Sequence, residues 1–353
     1  MGLEIKFTER ELHPIMYIIV PLGAFSLAFL CGGILMSWAG VNPISGYEAF
    51  ISGAIGSPVK FADTLVRTTS FLLMGVGLAF ALRARVFNIG AEGQYIMGAI
   101  VGTWVALLLQ ENLPPSITII VSLIMAMVIG GLWAGFAGYL KATLGINEVV
   151  LTVIMNWLAF KLLQWLLRGP LKNPLSEMWP MSPPIQAKIP VIISGTRLHL
   201  GFILAVLIAI GGYFLMFKTN YGFKLRVAGM NPDAAKYAGY DVRKIIISSM
   251  ILSGSLAGLA GAIEVLAVYH FLYEGISIGL GYTSIIVALV GKLHPLAIIP
   301  SALMFGALYN GVVYLQSALG VSYTLSKAME GMIYLFVLIS EVFLKYKVRI
   351  IRR

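Results

Sequence analysis

Apolar segments long enough to cross a membrane follow one another along most of this chain, with short polar stretches between them. Residues 12–47, 198–217 and 293–326 contain no Asp, Glu, Lys or Arg. A helix needs about 20 apolar residues to cross the hydrocarbon layer, and a helix satisfies its own backbone groups there. The pattern therefore predicts an all-α, polytopic membrane protein. We expect one transmembrane domain over residues 1–353 with about ten spans, at residues 15–37, 64–82, 90–109, 116–140, 148–167, 198–217, 245–265, 276–291, 294–315 and 328–344.

The charged residues orient these spans, because Lys and Arg concentrate in the cytoplasmic loops of membrane proteins. An even number of spans puts both termini on one side. With the termini inside, the inner segments hold seventeen Lys and Arg, against seven in the outer segments and outer span ends. The sequence thus predicts a multi-pass protein of the cytoplasmic membrane with both termini cytoplasmic.

Composition excludes a soluble globular protein. The chain is 59% hydrophobic and only 11% charged, whereas soluble domains are about 25% charged. A net charge of +10 could indicate nucleic-acid binding, but basic cytoplasmic loops and a basic C-terminal run account for it. The single cysteine, Cys31, can form neither an intrachain disulfide nor a zinc site by itself.

A basic loop at residues 218–244, predicted to be cytoplasmic, carries six Lys or Arg against two Asp. Asn231 has the character of a helix N-cap, Pro232 suits the first helical position, and Asp233 suits the positive end of the helix dipole. The letters DAAKYAGY then predict about two helical turns. A short, rigid helix on the inner face suggests a docking element for a soluble partner.

Two outer loops are substantial, at residues 38–63 and 168–197. The second contains six of the fifteen prolines, and proline at that density disfavours regular structure and stiffens the chain. Two interpretations stay open at this point. The loop either simply covers the outer face or forms a platform for an external binding protein.

Polar residues at the start of the third span are costly in lipid, so they should face protein or a wet path. Asn88 and Glu92 have the i,i+4 spacing of one helical face, and Gln94 follows. Alternatively, this stretch is a turn and a helix start at which the dipole favours Glu92. Both interpretations remain open here.

A second polar stripe follows in the fifth span. Glu148, Thr152 and Asn156 repeat at i, i+4 and i+8, which places them on one helical face. The stripe serves either interhelical hydrogen bonding or a translocation path. Glu264 and Lys292 lie near predicted span ends, where we expect their side chains to reach the interface.

The sequence contains no recognisable motif for nucleotide hydrolysis or for metal-dependent hydrolysis. A phosphate-binding P-loop requires G-x-x-x-x-G-K-[ST], but the only Gly-Lys pair, Gly291 and Lys292, is followed by Leu293. The four histidines are scattered and lack the H-E-x-x-H spacing of zinc hydrolases. We therefore expect no cofactor, no metal and no catalysis of bond breaking by this chain itself.

Four motifs in order resemble the permease subunits of nucleoside and simple-sugar ABC importers, within the wider ribose and branched-chain amino acid permease superfamily. The resemblance covers most of the chain, and its form is most similar to the longer of the two permeases that pair in nucleoside systems. The motifs are FNIGAEGQYIMGA (87–99), GINEVVLTVIMNWLA (145–159), GMNPDAAKYAGYD (229–241) and GLGYTSIIVALVGKLHPLAIIPSALMFG (279–306).

The resemblance implies a type II importer-like permease of about ten spans that pairs with a second permease. It also implies separate cytoplasmic ATP-binding cassette ATPases and a soluble or lipid-anchored substrate-binding protein outside. The loop after the sixth span would be the coupling helix. By motif match, its ATPase-coupling residues are Asn231, Pro232, Asp233, Ala234, Ala235 and Gly239.

The substrate path is predicted from polarity in apolar spans, not from the resemblance. Its candidate residues are Asn88, Glu92, Gln94 and Asn156. The cargo expected from the resemblance is a nucleoside or a related simple sugar. The amides, with the aromatic rings of Tyr95 and Trp157, would suit a base and a ribose, and they would also suit a sugar.

Two other classes of membrane protein account for the sequence less well. An ion-coupled secondary transporter of a small polar solute would work alone and would place charge at mid-depth, usually on broken helices. Few charged residues are predicted at mid-depth, which counts against this class. An intramembrane enzyme would need a paired catalytic constellation, which the sequence does not offer.

Overall fold

The computed structural model describes residues 3–9, 16–176, 178–276 and 279–352. Within these ranges the regular elements are helices and two terminal strands, β1 (Leu3–Glu9) and β2 (Tyr346–Arg352). Residues 15, 277 and 278, which fall in predicted spans, lie outside the described residues. The helices are α1 (Met16–Trp38), α2 (Pro43–Ile55), α3 (Pro58–Arg83), α4 (Ala91–Leu109), α5 (Pro115–Leu144), α6 (Glu148–Arg168), α7 (Leu200–Lys218), α8 (Asn220–Met230), α9 (Pro232–Tyr237), α10 (Val242–Glu264), α11 (Leu280–Val290), α12 (Pro295–Leu319) and α13 (Tyr323–Lys345).

The all-α polytopic fold is confirmed, and each of the ten predicted spans overlaps a helix. In the described part of the chain, seven helical stretches are long and apolar enough to cross a membrane. An eighth is present if the pair α1 and α2, bent by 120°, counts as one span. The seven are Pro58–Arg83, Ala91–Leu109, Pro115–Leu144, Glu148–Arg168, Leu200–Lys218, Val242–Tyr269 and Pro295–Leu319.

The predicted eighth span, 276–291, is wrong as a full crossing. Helix α11 there has 11 residues, which corresponds to about 16 Å at 1.5 Å per residue. Upstream, the end of α10 passes into a π-helical turn, Val265–Tyr269, and His270 then takes a left-handed conformation with φ of 61°. The helical path is therefore interrupted between α10 and α11.

Contacts divide the chain into two compact units, Met1–Phe61 with Ala307–Arg353 and Ala62–Gly306. The prediction of one domain over residues 1–353 stays a prediction. In the first unit, α1 packs along α13. The strands pair antiparallel, with Leu3 opposite Arg352 and Glu9 opposite Tyr346, a ribbon that the sequence pattern did not predict. The two ends of the chain therefore lie side by side.

In the second unit, α10 is the central helix, with α4 and α5 packed against it. Glycines allow the backbones of these helices to approach closely. A Cβ at Gly98 of α4 would overlap the backbone of Gly258 in α10, and one at Gly130 of α5 would lie 2.9 Å from the Cα of the same glycine. These contacts fix α4 and α5 at the level of the polar residues described below.

The basic loop 218–244 is mostly helical. Helix α9 begins as predicted, because the Asn231 Oδ1 atom accepts hydrogen bonds from the backbone N–H groups of Asp233 (3.0 Å) and Ala234 (3.1 Å). Helix α8 precedes it and was not predicted. Asp241 caps α10, accepting from the backbone N–H of Lys244 at 3.1 Å, and this hydrogen bond lowers the pKa of Asp241.

The proline-rich loop 168–197 is largely irregular, as expected, and lies along the chain that follows α10. The backbone N–H of Ser182 donates to Leu272 and that of Ile185 donates to His270, each at 2.8 Å. An isolated bridge between Met181 and Tyr273 extends this contact. The loop is thus held to residues 270–273 by backbone hydrogen bonds.

Candidate functional site

Helices α4 and α11 begin against each other. Glu92, in the first turn of α4, accepts hydrogen bonds from the backbone N–H groups of Gly279 (2.9 Å) and Gly281 (2.5 Å) at the start of α11. A Cβ at Gly281 would lie 2.6 Å from the Cα of Glu92, so only glycine allows this approach. Gly279 has φ of 87°, which favours glycine for a second reason. The carboxylate therefore satisfies backbone donors that the end of a helix leaves without intrahelical partners.

This meeting point lies deep along α10. Asn88, just before α4, donates from its Nδ2 atom to the Ser253 hydroxyl at 2.9 Å. Ser253 is the twelfth residue of α10 (Val242–Glu264), about 16 Å from the start of that helix. The starts of α4 and α11 therefore meet beside the middle of this 23-residue helix. Helix α11 is too short for a full span, and short, interrupted helices whose N-termini face polar groups are typical of transporter binding sites.

Helix α6 completes the junction through Asn156. Its Oδ1 atom accepts from the backbone N–H of Gly93 at 2.8 Å, and its Nδ2 atom donates to the Ile89 carbonyl (2.9 Å) and the Tyr282 hydroxyl (3.1 Å). The predicted stripe on α6 faces inward, because Glu148, Thr152 and Asn156 are all buried. One amide thus ties α6 to α4 and α11.

A cavity of about 260 Å³ opens beside this junction. Its polar groups belong to Glu92 and Asn156, whereas aromatic rings supply much of the rest of the wall. Trp157 is 63% exposed and Tyr282 is 43% exposed, so the cavity opens to the surface of the chain. The lining residues are Glu92, Ile96, Asn156, Trp157, Phe160, Gly279 and Tyr282.

The four residues predicted for the substrate path separate into two pairs. Glu92 and Asn156 line the cavity. Asn88 and Gln94 do not, because their side-chain amides bond to each other at 3.0 and 2.9 Å. Asn88 also precedes α4, so the expectation that it shares a helical face with Glu92 is wrong. Its Oδ1 atom instead accepts from the backbone N–H of Gly90 at 3.0 Å.

Sequence reasoning missed part of the cavity wall. The sequence did not single out Tyr282 or Phe160. It did single out Tyr95, but that side chain is fully buried away from the cavity. Tyr282 stands between Gly281 and Thr283 at the start of a short apolar helix. A tyrosine beside glycine in an interrupted span was the available signal, since glycine-interrupted spans point to binding sites in transporters.

A buried ion pair links α3 and α10. Arg67 and Glu264 are 3.2 Å apart, and the Ser70 hydroxyl donates to Glu264 at 2.8 Å. The expectation that Glu264 reaches the membrane interface is therefore wrong, because only 1% of it is exposed. Its pairing satisfies the requirement that a buried charge be compensated. Among the described residues, no group of three or more His, Cys, Asp or Glu could hold a metal ion.

The predicted ATPase-coupling residues lie on and around α9. Asn231, Pro232, Asp233, Ala234 and Gly239 are exposed. Ala235 is fully buried and has no surface to offer a partner, because it lies on the inner side of this short helix. Tyr237, which the sequence did not single out, is 98% exposed at the end of α9.

Comparisons with known proteins agree with this architecture. Residues 61–340 match the family model described as the branched-chain amino acid transport system, permease component. A guanosine ABC transporter permease of Bacillus subtilis is 34% identical over 325 residues, covering 91% of this chain and 93% of the relative. A nucleoside ABC transporter permease of Lactococcus lactis is 31% identical over 304 residues, covering 83% of each.

A third relative carries a different cargo name. The glucose ABC transporter permease TsgB13 of Haloferax volcanii is 29% identical over 363 residues, covering 99% of this chain and 95% of the relative. The resemblance found in the motifs is thus confirmed over nearly the whole length. This multi-pass membrane protein belongs to the family of permease components of the branched-chain amino acid transport system.

Proposed function

We propose that this chain is a permease subunit of an ATP-binding cassette importer that carries a nucleoside, or a related simple sugar, across the cytoplasmic membrane. The relatives named for guanosine, nucleosides and glucose support this cargo class. The cavity at the α4–α11 junction carries the proposal. It combines hydrogen-bonding groups beside the middle of α10 with aromatic walls in an otherwise apolar region.

The chemistry of the cavity fits a nucleoside. The rings of Trp157 and Phe160 are 6.4 Å apart and nearly perpendicular, and Tyr282 lines the same cavity. Flat bases stack on such rings, while the Glu92 carboxylate and the Asn156 amide can bond ribose hydroxyls. We assign substrate contact to these two polar residues and a supporting role to Asn88 and Gln94, which lie behind them.

A second permease subunit would complete the site. The cavity, about 260 Å³ in volume, is slightly smaller than the roughly 300–1,000 Å³ of small-molecule pockets. Its Trp157 edge is open, and polar groups within a span are costly against lipid. A partner permease facing this cavity would exclude lipid and enclose the substrate. This chain matches two guanosine permeases of Bacillus subtilis, NupP and NupQ, and two nucleoside permeases of Lactococcus lactis, NupB and NupC. Two permeases with the same cargo name in one organism support a paired arrangement.

The energy source in this proposal is a separate cytoplasmic ATPase that contacts α9. Closure of the ATPases would move α9 and drive alternating access as a rigid-body shift. The excess of Lys and Arg in the predicted inner segments favours a cytoplasmic position for the termini and α9. The loop 168–197 would then face outward, and its exposed Leu175, Met178 and Trp179 offer a surface to a substrate-binding protein.

Reconstitution tests the proposal directly. The purified chain is placed in vesicles alone, and then together with the ATPase, second permease and binding protein of its own system. Uptake of radiolabelled guanosine, uridine and glucose is measured with and without internal ATP. We expect uptake of a nucleoside or a sugar only in the complete, ATP-supplied vesicles.

The same vesicles separate the proposal from the alternative class. An ion-coupled secondary transporter would accumulate solute in vesicles that contain this chain alone, driven by a proton or sodium gradient. Such accumulation, or ATP-independent uptake in the complete vesicles, would refute the importer proposal. Uptake that requires both ATP and the partner subunits would support it.

A further inference from the structure

One arginine connects the cytoplasmic end of α3 to the turn that follows α11. The Arg83 Nε atom donates to the Leu293 carbonyl at 3.2 Å, and one of its terminal nitrogens donates to the Lys292 carbonyl at 3.1 Å. A guanidinium can hold two acceptors at once because its N–H donors form a rigid, planar fork. Arg83 therefore bonds to two consecutive carbonyl groups, which lie 209 and 210 residues further along the chain.

The turn held by Arg83 has an uncommon backbone. Lys292 and Leu293 have φ of 52° and 53°, the left-handed region that residues with a Cβ rarely adopt. The turn connects α11 directly to α12, which begins at Pro295. Such conformations persist only where the surroundings over-determine them, and they cluster at functional and switching segments.

The other side of Arg83 contacts the cytoplasmic helix α8. A Cβ at Gly229 of α8 would overlap the Arg83 carbonyl oxygen, so the two backbones touch. Two guanidinium groups lie near the Phe217 ring. Their central carbons, in Arg83 and Arg226, are 5.7 and 5.1 Å from the ring centroid. The ring of His294, from the turn, stacks on Phe217 at 4.9 Å. Cation–π and stacking contacts thus bind α7 and α8 to the same turn.

The other end of α11, its start, borders the cavity. Its first residues bond to Glu92 and place Tyr282 in the wall. Helix α11 is therefore a short rod, about 16 Å long. One end carries cavity residues. The turn at the other end is hydrogen-bonded to Arg83 beside α8, which leads directly into α9. No other described half-length helix has this position.

We propose that Arg83 is a positioning residue that transmits the movement of the cytoplasmic helices α8 and α9 to the cavity. The movement passes through the turn at residues 291–294 and along α11. This inference rests on the proposed function. A shift of α8 moves the Arg83 backbone and side chain, and the doubly held turn passes this shift to α11. The shift then alters the contact between Glu92 and the start of α11, and with it the position of Tyr282.

The test compares Arg83→Lys with Arg85→Lys in the complete transporter in vesicles. Lysine keeps the charge at residue 83 but cannot reproduce the fork. Arg85 is a nearby, exposed control. ATP hydrolysis and guanosine uptake are measured together. We expect Arg83→Lys to keep hydrolysis within about twofold of the parent while guanosine carried per ATP falls about tenfold or more, the size of a typical coupling free energy between sites.

A second measurement follows α11 itself and does not depend on transport. In a Cys31→Ser background, Leu289→Cys on α11 gives a single labelling site, since Cys31 is the only native cysteine. We expect ATP to change the maleimide labelling rate in the parent and in Arg85→Lys but not in Arg83→Lys. If Arg83→Lys fails to assemble, Leu293→Gly, which retains Arg83 and loosens the turn, replaces it with the same expectation.

The outcomes distinguish this inference from the proposed function. An unmodified transporter that carries no nucleoside or sugar would refute the proposed function, whereas the labelling experiment would still report on Arg83. An active transporter in which Arg83→Lys keeps the parental uptake per ATP and the ATP-dependent labelling change would overturn the role of Arg83 alone.

Discussion

The carboxylate of Glu92 caps the start of α11 by accepting a 2.9 Å hydrogen bond from the backbone N–H of Gly279, 187 residues further along the chain. A second bond from Gly281 makes the cap bidentate. The positive end of the α11 dipole stabilises this carboxylate, so the contact holds the start of α11 against the first turn of α4. It also fixes a polar group at the edge of the cavity.

Replacing Glu92 tests this cap. In Glu92→Gln, one acceptor oxygen becomes an NH₂ donor that faces backbone donors, and a buried group left unpaired costs about 1–3 kcal/mol. We expect guanosine uptake to fall about tenfold or more and the thermal midpoint of the purified protein to fall modestly. Glu111→Gln, at an exposed position after α4, should change neither. Parental uptake in Glu92→Gln would show that the cap is unnecessary for transport.

The close approach at Gly281 gives a steric prediction. Gly281→Ala adds a methyl group 2.6 Å from the Cα of Glu92, so α11 must move away from α4. We expect reduced yield of folded protein and loss of uptake. The control is Gly211→Ala in α7, where the added Cβ meets nothing within 4 Å. That variant should be as stable as the parent or more stable, because alanine favours the helix by about 1 kcal/mol. Equal behaviour of the two variants would contradict the packing account.

Stacking on Trp157 gives a prediction about cargo. Base stacking on an aromatic side chain is worth about 1–3 kcal/mol, so Trp157→Ala should raise the KM for nucleoside uptake by about 5-fold to 100-fold. Thermal stability should be unchanged because Trp157 is mostly exposed. The neighbouring Leu158, also exposed but outside the cavity, provides the control variant Leu158→Ala. An unchanged KM in Trp157→Ala would remove this residue from the substrate site.

Helix α9, the proposed coupling helix, gives a pair of contrasting variants. Asp233→Arg with Tyr237→Ala alters only exposed side chains of α9, so we expect normal folding but loss of ATP-driven uptake. Ala235→Trp should instead lower the thermal midpoint, because overpacking a buried position costs about 1–3 kcal/mol. Circular dichroism melting and uptake distinguish the two effects. Normal uptake in the double variant would refute docking through α9.

His199, immediately before α7, predicts a pH dependence of stability. Burial lowers its pKa to about 4, so the unfolded chain binds this proton more readily than the folded protein does. Stability is then lost as the pH falls below about 6.5, the unperturbed value, toward 4. We expect a loss of about 2 kcal/mol between pH 7 and pH 5 from this residue. In detergent, His199→Gln should reduce the pH dependence of the unfolding free energy by that amount, and an unaltered dependence would contradict this account.

The sequence by itself determined the features that depend on neighbouring residues. Apolar length predicted where the membrane helices lie, because desolvating a helix in lipid depends on its own side chains. The cap at Asn231 and the start of α9 at Pro232 were predicted from local hydrogen-bonding preferences. The inward stripe of Glu148, Thr152 and Asn156 followed from helical periodicity. Four motifs were enough to indicate the family.

Only the tertiary structure decided which of these groups meet. Hydropathy could not distinguish the half-length α11 from a full span, because its break depends on backbone donors paired with distant Glu92. Nor could it show that Asn88 and Gln94 satisfy each other behind the cavity, or that Glu264 pairs with Arg67. Each outcome depends on a partner outside the local segment or on the direction of a side chain. Burial in lipid requires such partners, but only the packed helices determine which ones are within reach.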